Sequence, residues 1–260
     1  MKIAVCIKQV PVRDWQPRLD EAGTWIRDND ISYEMNEPDA YALEEGLRLK
    51  EKHGGEVVVC SAGPERVAQV LREALARGAD RALHVQGTGL ASADAFVVAD
   101  ALAEAMRGEQ FDLILTGLQS DDQGFAQTGV ILAERLGLSH ATIIMEVQAA
   151  PGASGQPGTL RVKRELEGGW FQSVAMPLPA VLTIQSGINQ LRYATLKGIM
   201  AAKKKEIRTV AAPGGAAAHQ QIVRLYVPEK AKRTEIIPGA PSVAAQALVK
   251  KLREDARVIA

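Results

Sequence analysis

The sequence predicts an α/β fold with an open, mostly parallel, Rossmann-like sheet. Helices cover both faces, and an antiparallel hairpin and an extended C-terminal arm complete it. Three observations predict this. Short apolar runs alternate with amphipathic stretches through the first half. Glycines and cap residues punctuate that alternation at the spacing of strand–helix units. After about residue 140, strand-like runs follow one another directly. Strands joined by helical crossovers pair in parallel, and their helices cover the sheet.

Residues 2–8 form a short apolar run and read as the first buried strand. Residues 39–53, after Pro38, carry Leu43 and Leu47 at helical spacing, and His53-Gly54-Gly55 supplies the stop. Val57 to Cys60 is a second strand. Residues 65–77 are a helix with Val67, Val70, Leu71, Ala74 and Leu75 on one face, closed by Gly78. Residues 81–86 are a third strand, and Ser92 or Asp94 caps a helix reaching about Met106. Asp112 to Thr116 is a fourth strand, followed by a Gly- and Asp-rich loop and a helix over 125–136. Residues 141–149, 159–166, 170–176 and 179–186 read as strands, with Glu167-Gly168-Gly169-Trp170 as a hairpin turn. Residues 195–203 read as either a loop or a short helix. Ala211 to Ala218 has the composition of a flexible linker. Beyond it lie a strand-like run, Ile222 to Val227, and a helix over 242–255. The organisation is a domain over 1–205, a linker over 206–220 and an arm over 221–260. A strand and a helix hung on a linker cannot bury their own apolar faces, so the arm must dock on this domain or on another chain.

The chain has 260 residues, 31 basic and 31 acidic side chains, and no formal net charge. That balance argues against a bulk electrostatic binder of nucleic acid or membrane. No run approaches the roughly 18 apolar residues of a membrane helix. The first residues read as a strand and not a signal peptide, so the expectation is a cytoplasmic protein without direct membrane insertion. Two cysteines, Cys6 and Cys60, cannot build a disulfide scaffold and suit a reducing compartment. The four histidines lack metal-ligand spacing, and there is no C-x-x-C, no phosphate loop of the G-x-x-x-x-G-K-[ST] type and no G-x-S-x-G elbow. Glu44-Glu45 occupies successive helix positions that face apart, so it is no acid–base pair. The chain offers little of its own for bond-making chemistry.

The most informative stretch is the loop Gly117-Leu118-Gln119-Ser120-Asp121-Asp122-Gln123-Gly124-Phe125-Ala126-Gln127-Thr128. It leaves the carboxyl end of the fourth strand and enters a helix. Ligands of open parallel sheets sit at that edge, where helix N-termini offer free N–H groups to anions. Ser120, Gln127 and Thr128 can donate to a phosphate. Asp121 and Asp122 would repel one, and belong on ribose hydroxyls, on an adenine amino group or in solvent. The alternative is a polar turn with an ordinary cap. Two more polar loops, Met35-Asn36-Glu37-Pro38-Asp39 and Ser61-Ala62-Gly63-Pro64, could converge on the same edge. Gly87-Thr88-Gly89-Leu90-Ala91-Ser92 is a partial dinucleotide fingerprint with Ser92 in place of the third glycine. Near the end, Leu196, Ile199 and Met200 precede Lys203-Lys204-Lys205. The lysine run alone reads as a solvated face; with the apolar residues beside it, it can form a docking knob, in which one side chain fills a pocket and the charges steer the encounter.

Several segments together carry a family resemblance: Val5 to Pro11, Met35-Asn36 with Ala42 to Glu45, Gly63-Pro64, and Leu71 to Arg81. Gln127-Thr128-Gly129, Arg164 to Gly169, Leu178 to Thr183, and Arg192 to Leu196 with Ile199-Met200 and the lysines extend it over nearly the whole chain. With these segments the chain resembles the beta subunit of electron transfer flavoprotein. The resemblance implies an electron carrier and no enzyme in its own right. It implies a heterodimer with an alpha subunit that holds most of the redox FAD, while the beta subunit binds a structural AMP. It further implies that flavin dehydrogenases, such as acyl-CoA dehydrogenases, donate electrons, and that a quinone reductase or another acceptor receives them. By position, the resemblance assigns the nucleotide to Cys6, Asn36, Glu37, Pro38, Asp39, Ala62 and residues Gly117 to Thr128. It assigns Leu196 to anchoring the dehydrogenase, with Ile199 and Met200 beside it. Some members bifurcate electrons and carry a second FAD in place of AMP, with an NADH site; Gln127-Thr128-Gly129 looks like the AMP-type loop. This chain departs from mitochondrial relatives at Glu37-Pro38-Asp39, at Asp122-Gln123-Gly124 and after Pro11.

Overall fold

The computed structural model describes residues 1–27, 29, 31–152, 158–228 and 234–259. In chain order the strands are β1 (Lys2–Cys6), β2 (Gln9–Pro11), β3 (Tyr33–Met35), β4 (Glu56–Gly63), β5 (Arg81–Gln86), β6 (Leu113–Gly117), β7 (Ser139–Ala150), β8 (Thr159–Glu165), β9 (Phe171–Pro177), β10 (Ala180–Ile184) and β11 (Ile207–Ala211). The helices are α1 (Glu37–His53), α2 (Ala68–Arg77), α3 (Ala95–Met106), α4 (Thr128–Leu136), α5 (Leu196–Ala202) and α6 (Pro241–Glu254).

Nine strands form one sheet in the order β11-β5-β4-β1-β6-β10-β7-β8-β9. The ladders from β11 to β7 are all parallel, and β8 and β9 extend the sheet as an antiparallel meander. The predicted α/β class therefore holds. The parallel strands are apolar along their length because helices cover both faces. Ile3 and Val5 of β1 pack with α1 and α2 residues such as Leu43, Leu47, Leu71 and Leu75. Ala4 and Cys6, pointing the other way, pack with α3 and α4 residues such as Leu102, Met106 and Leu132. Successive strands run outward from β1 through β4 to β5, and then the chain returns to place β6 on the other side of β1. That reversal opens a crevice at the carboxyl ends of β1 and β6.

The helix–strand boundaries follow local signals closely. Asp94 caps α3, its carboxylate accepting the Val97 N–H at 2.9 Å. The residues read as a loop or a short helix form α5, because Thr195 caps it through the Gly198 N–H at 3.0 Å. Three elements depart from the sequence reading. Gln9–Pro11 and Tyr33–Met35 pair as a small antiparallel sheet, β2–β3. Ile207–Ala211, expected at the start of the linker, is the edge strand β11, paired with β5. Ile207 packs on one face of the sheet and Val210 on the other, while Arg208 and Thr209 between them are exposed. The run Ile222 to Val227, expected as a strand, has no regular structure. Val223, Tyr226 and Val227 stay exposed, and no neighbouring strand offers a ladder there.

The chain divides into two compact bodies, Met1–Leu225 and Tyr226–Ala260. The second contains α6, whose Lys251 bonds Glu235 at 2.9 Å. Among the described residues no helix is long and apolar enough to cross a membrane. Both cysteines are free and buried.

Candidate functional site

A cleft opens at the carboxyl edge of β1 and β6 and holds about 870 Å³ of space, counted out to bulk solvent. Three loops build it. The first leaves β1 at Cys6, Ile7 and Lys8. The second enters α1 at Asn36. The third runs from Gly117 into α4. The turn before α3 and the first turns of that helix close the remaining side with Leu90, Ala93, Val98 and Leu102.

Asn36 and Asp39 lock these loops together. Asn36 stands at the N-cap of α1, yet its side chain makes no cap bond. It spans the cleft mouth instead, donating through Nδ2 to the Gln119 carbonyl and accepting the Asp121 N–H through Oδ1, both at 2.9 Å. Asp39, one turn into α1, is buried. Its Oδ2 accepts the Lys8 N–H at 2.7 Å and its Oδ1 the Gly117 N–H at 2.8 Å. One carboxylate thus fastens the end of β1 to the end of β6. Gly117 is required for this approach: a Cβ there would collide with the Asp39 carboxylate and backbone. Burial pushes the Asp39 carboxyl up to about 7, against the pull of its two N–H donors and of Asn36.

The acidic pair Asp121 and Asp122 is neutralised from the opposite bank. Lys8 Nζ donates to Asp122 Oδ1 at 2.7 Å, Gln123 Oε1 at 2.9 Å and Ser120 Oγ at 3.3 Å. Arg13 pairs with Glu37, and its guanidinium lies 3.7 Å from Asp121. Gly124, at φ +66°, closes the loop by donating its N–H to the Ser120 carbonyl at 2.8 Å.

At the far end of the loop, α4 starts at Thr128 without a side-chain cap. Thr128 and Gly129, its first residues, line the cleft, and a helix start favours an anion. Gln127 Oε1 is buried there with no hydrogen-bond partner among the described residues. An orphaned buried acceptor is costly unless a ligand or water answers it. On the other bank Asp94 accepts the His219 N–H at 2.5 Å and the Gln220 N–H at 2.9 Å. Burial works to raise its carboxyl, but the donors from Val97, His219 and Gln220 hold it below the usual range. The His219 ring lies 4.3 Å from that of Phe96.

Of the expected cofactor residues, Cys6, Asn36, Asp39, Ala62, Gly117 to Ser120, Gln123 and Phe125 to Thr128 line this one cleft. Glu37, Pro38, Asp121, Asp122 and Gly124 do not. Sequence reasoning missed Lys8, which ends an apolar run and reads as a strand terminus. It also missed the wall from Leu90 to Leu102. The partial fingerprint at 87–92 contributes Leu90 and Ala91 as apolar lining. The signal that could have found this wall is Asp94, a cap at the same carboxyl edge.

Far along the chain, Leu196 is 84% exposed, and Tyr193, Ile199 and Met200 are exposed beside it. Lys197, Lys203 and Lys204 surround them on the surface. Among the described residues no cluster of three or more His, Cys, Asp or Glu side chains could hold a metal ion.

Comparison with known proteins yields one family. Residues 24–214 match the electron transfer flavoprotein domain. Over 98% of both chains, the sequence is 38% identical to electron transfer flavoprotein subunit beta of Methylophilus methylotrophus. It is 36% identical to the protein of that name from Syntrophomonas wolfei, over 99% of this chain and 98% of the other. It is 35% identical to that of Bradyrhizobium diazoefficiens over the full length of both.

Proposed function

The chain belongs to the electron transfer flavoprotein beta-subunit family, and from that premise we propose that it works as the adenylate-holding half of an electron-carrying heterodimer. In this reading an alpha subunit carries the redox FAD, and the cleft between β1 and β6 holds a structural AMP. The observation that carries the reading is the buried, unpartnered Gln127 Oε1 beside the uncapped start of α4. A phosphate fits the N–H groups of α4. The orphaned carboxamide oxygen suits an adenine amino group or a ribose hydroxyl. The apolar wall of Leu90, Ala93, Val98 and Leu102 suits the flat face of a base.

FAD supplies the reversible electron chemistry when it is bound to the partner. The residues of this chain bind and orient. Asn36 and Asp39 hold the cleft loops in place, and Lys8 and Arg13 offset the acidic residues that would repel a phosphate. The knob at Leu196, Ile199 and Met200 docks a flavin dehydrogenase, with an acyl-CoA dehydrogenase as the donor class. The body Tyr226–Ala260 clasps the alpha subunit. Electrons then pass to a quinone reductase or another acceptor, and the complex works in the cytoplasm.

The docking role is tested by donor-driven reduction of the purified heterodimer. Leu196→Ala is expected to slow reduction about tenfold, as loss of a central apolar anchor does, with the FAD content unchanged. Equal rates for the two proteins would remove the docking role.

A further inference from the structure

The exposed apolar knob does not stand on a loose loop. Both of its flanks are tied to α1 and α2. On the N-terminal flank, Arg192 forks onto two carboxylates of α1. Its Nε and Nη2 reach Glu44 at 2.7 and 2.9 Å, and its Nη1 reaches Glu51 at 2.5 Å. Glu44 is buried, so the fork works in a partly desolvated setting. Asn189 adds bonds to Glu45 at 3.0 Å and to the Tyr41 carbonyl at 3.2 Å. On the C-terminal flank, Arg72 of α2 donates to the Ala202 and Lys205 carbonyls at 2.7 and 2.6 Å. The Ala202 carbonyl, at the last residue of α5, also accepts the Lys205 N–H at 3.2 Å, so the turn after the helix is closed as well. Lys205 returns the contact, donating to the Leu75 and Ala79 carbonyls at 3.1 and 2.5 Å. Between the flanks, α5 rests directly on α2. A Cβ at Gly198 would collide with the Ala76 carbonyl oxygen.

We propose that Arg192 and Gly198 are positioning residues that hold the Tyr193–Leu196–Met200 surface in one preformed geometry for the incoming dehydrogenase. The proposal deepens the docking reading above and rests on it. A knob that is already ordered loses little freedom on binding, so its anchor contributes to affinity instead of to ordering a loop. The guanidinium fork is the device suited to this: it is planar and bidentate, whereas a lysine ammonium is a single point charge.

The test uses the holo heterodimer as substrate for the dehydrogenase that reduces the wild-type complex. Four variants are compared: Leu196→Ala, Arg192→Met, Arg192→Lys and Gly198→Ala. Both Arg192 variants and Gly198→Ala are expected to raise KM for the heterodimer about tenfold with kcat within about twofold, the size of loop-ordering costs. FAD content and salt dependence should stay as in the wild type. Gly198→Ala removes no charge and no exposed apolar group, so it reports placement alone, and it keeps the test open if loss of Arg192 unfolds the chain. Rescue by Arg192→Lys would show a steering charge and overturn the proposal. So would an unchanged KM in Gly198→Ala where Leu196→Ala raises it. If Leu196→Ala itself has no effect, the docking reading fails, and this proposal with it.

Discussion

Asp39 shows how a single side chain organises the cleft. It sits where two parallel strands end and a helix begins, and its two oxygens take one N–H from each strand end. Burial nevertheless raises its carboxyl to about 7. An acid whose folded value lies above its ordinary one favours folding while it stays protonated. That contribution is full below about pH 4 and is lost as pH rises through about 7. Replacing it with asparagine removes the titration and one acceptor oxygen. The stability advantage of wild type over Asp39→Asn is therefore expected to shrink by a few kcal/mol between pH 4 and 7 and to stay flat above. Urea unfolding at a series of pH values measures this, and a constant difference would show that Asp39 does not titrate in that window. Lys8 teaches a different lesson. In the sequence it is the polar end of an apolar run, and nothing local says that its ammonium reaches across 112 to 115 positions to three acceptors in one loop.

The elements divide by how local their causes are. β5 and α3 were legible because an apolar run and a capping aspartate lie within a dozen residues of each other. β2 and β3 were not, since each has three residues and no apolar run, and they exist only because they pair with one another. β11 hid for a related reason: it depends on an edge that β5 presents 125 residues earlier (Ala82 to Ile207). The convergence of the 36–39 and 117–128 loops was legible, because both lie at strand or helix ends on one side of a parallel sheet. The wall from Leu90 to Leu102 was not, because apolar residues facing a ligand look like core. At the opposite edge of the sheet, Glu109 ties three strands together. It accepts from Lys2 at 2.8 Å and Arg81 at 2.6 Å, and forms an ion pair with Arg208 at 3.2 Å. The Arg81 bond, joined by Lys2, holds its carboxyl down to about 2 against the effect of burial. A depressed acid contributes its full stability above its ordinary value near 4.5 and loses it as pH falls toward 2. Glu109→Gln is expected to cost on the order of 3 kcal/mol at pH 7, with the difference fading below pH 4.5. A thermal midpoint equal to wild type at pH 7 would show that the cluster is solvated and weak.

At the scale of the whole molecule, the body Met1–Leu225 carries a cleft and an exposed apolar surface in separate places. The switch between β1 and β6 makes the cleft. The far sides of α1 and α2 hold the exposed knob. The residues beyond Leu225 form a compact body of their own around α6. Family membership gives this division its meaning: a carrier needs a stable subunit, a place to meet its donor and a second chain, and none of these requires a catalytic side chain. The central claim is the adenylate in the cleft. The most direct measurement is to denature the purified heterodimer and count the nucleotides it releases by chromatography. The account predicts one AMP beside one FAD. Release of FAD with no adenylate, or of two FAD and no AMP, would contradict it.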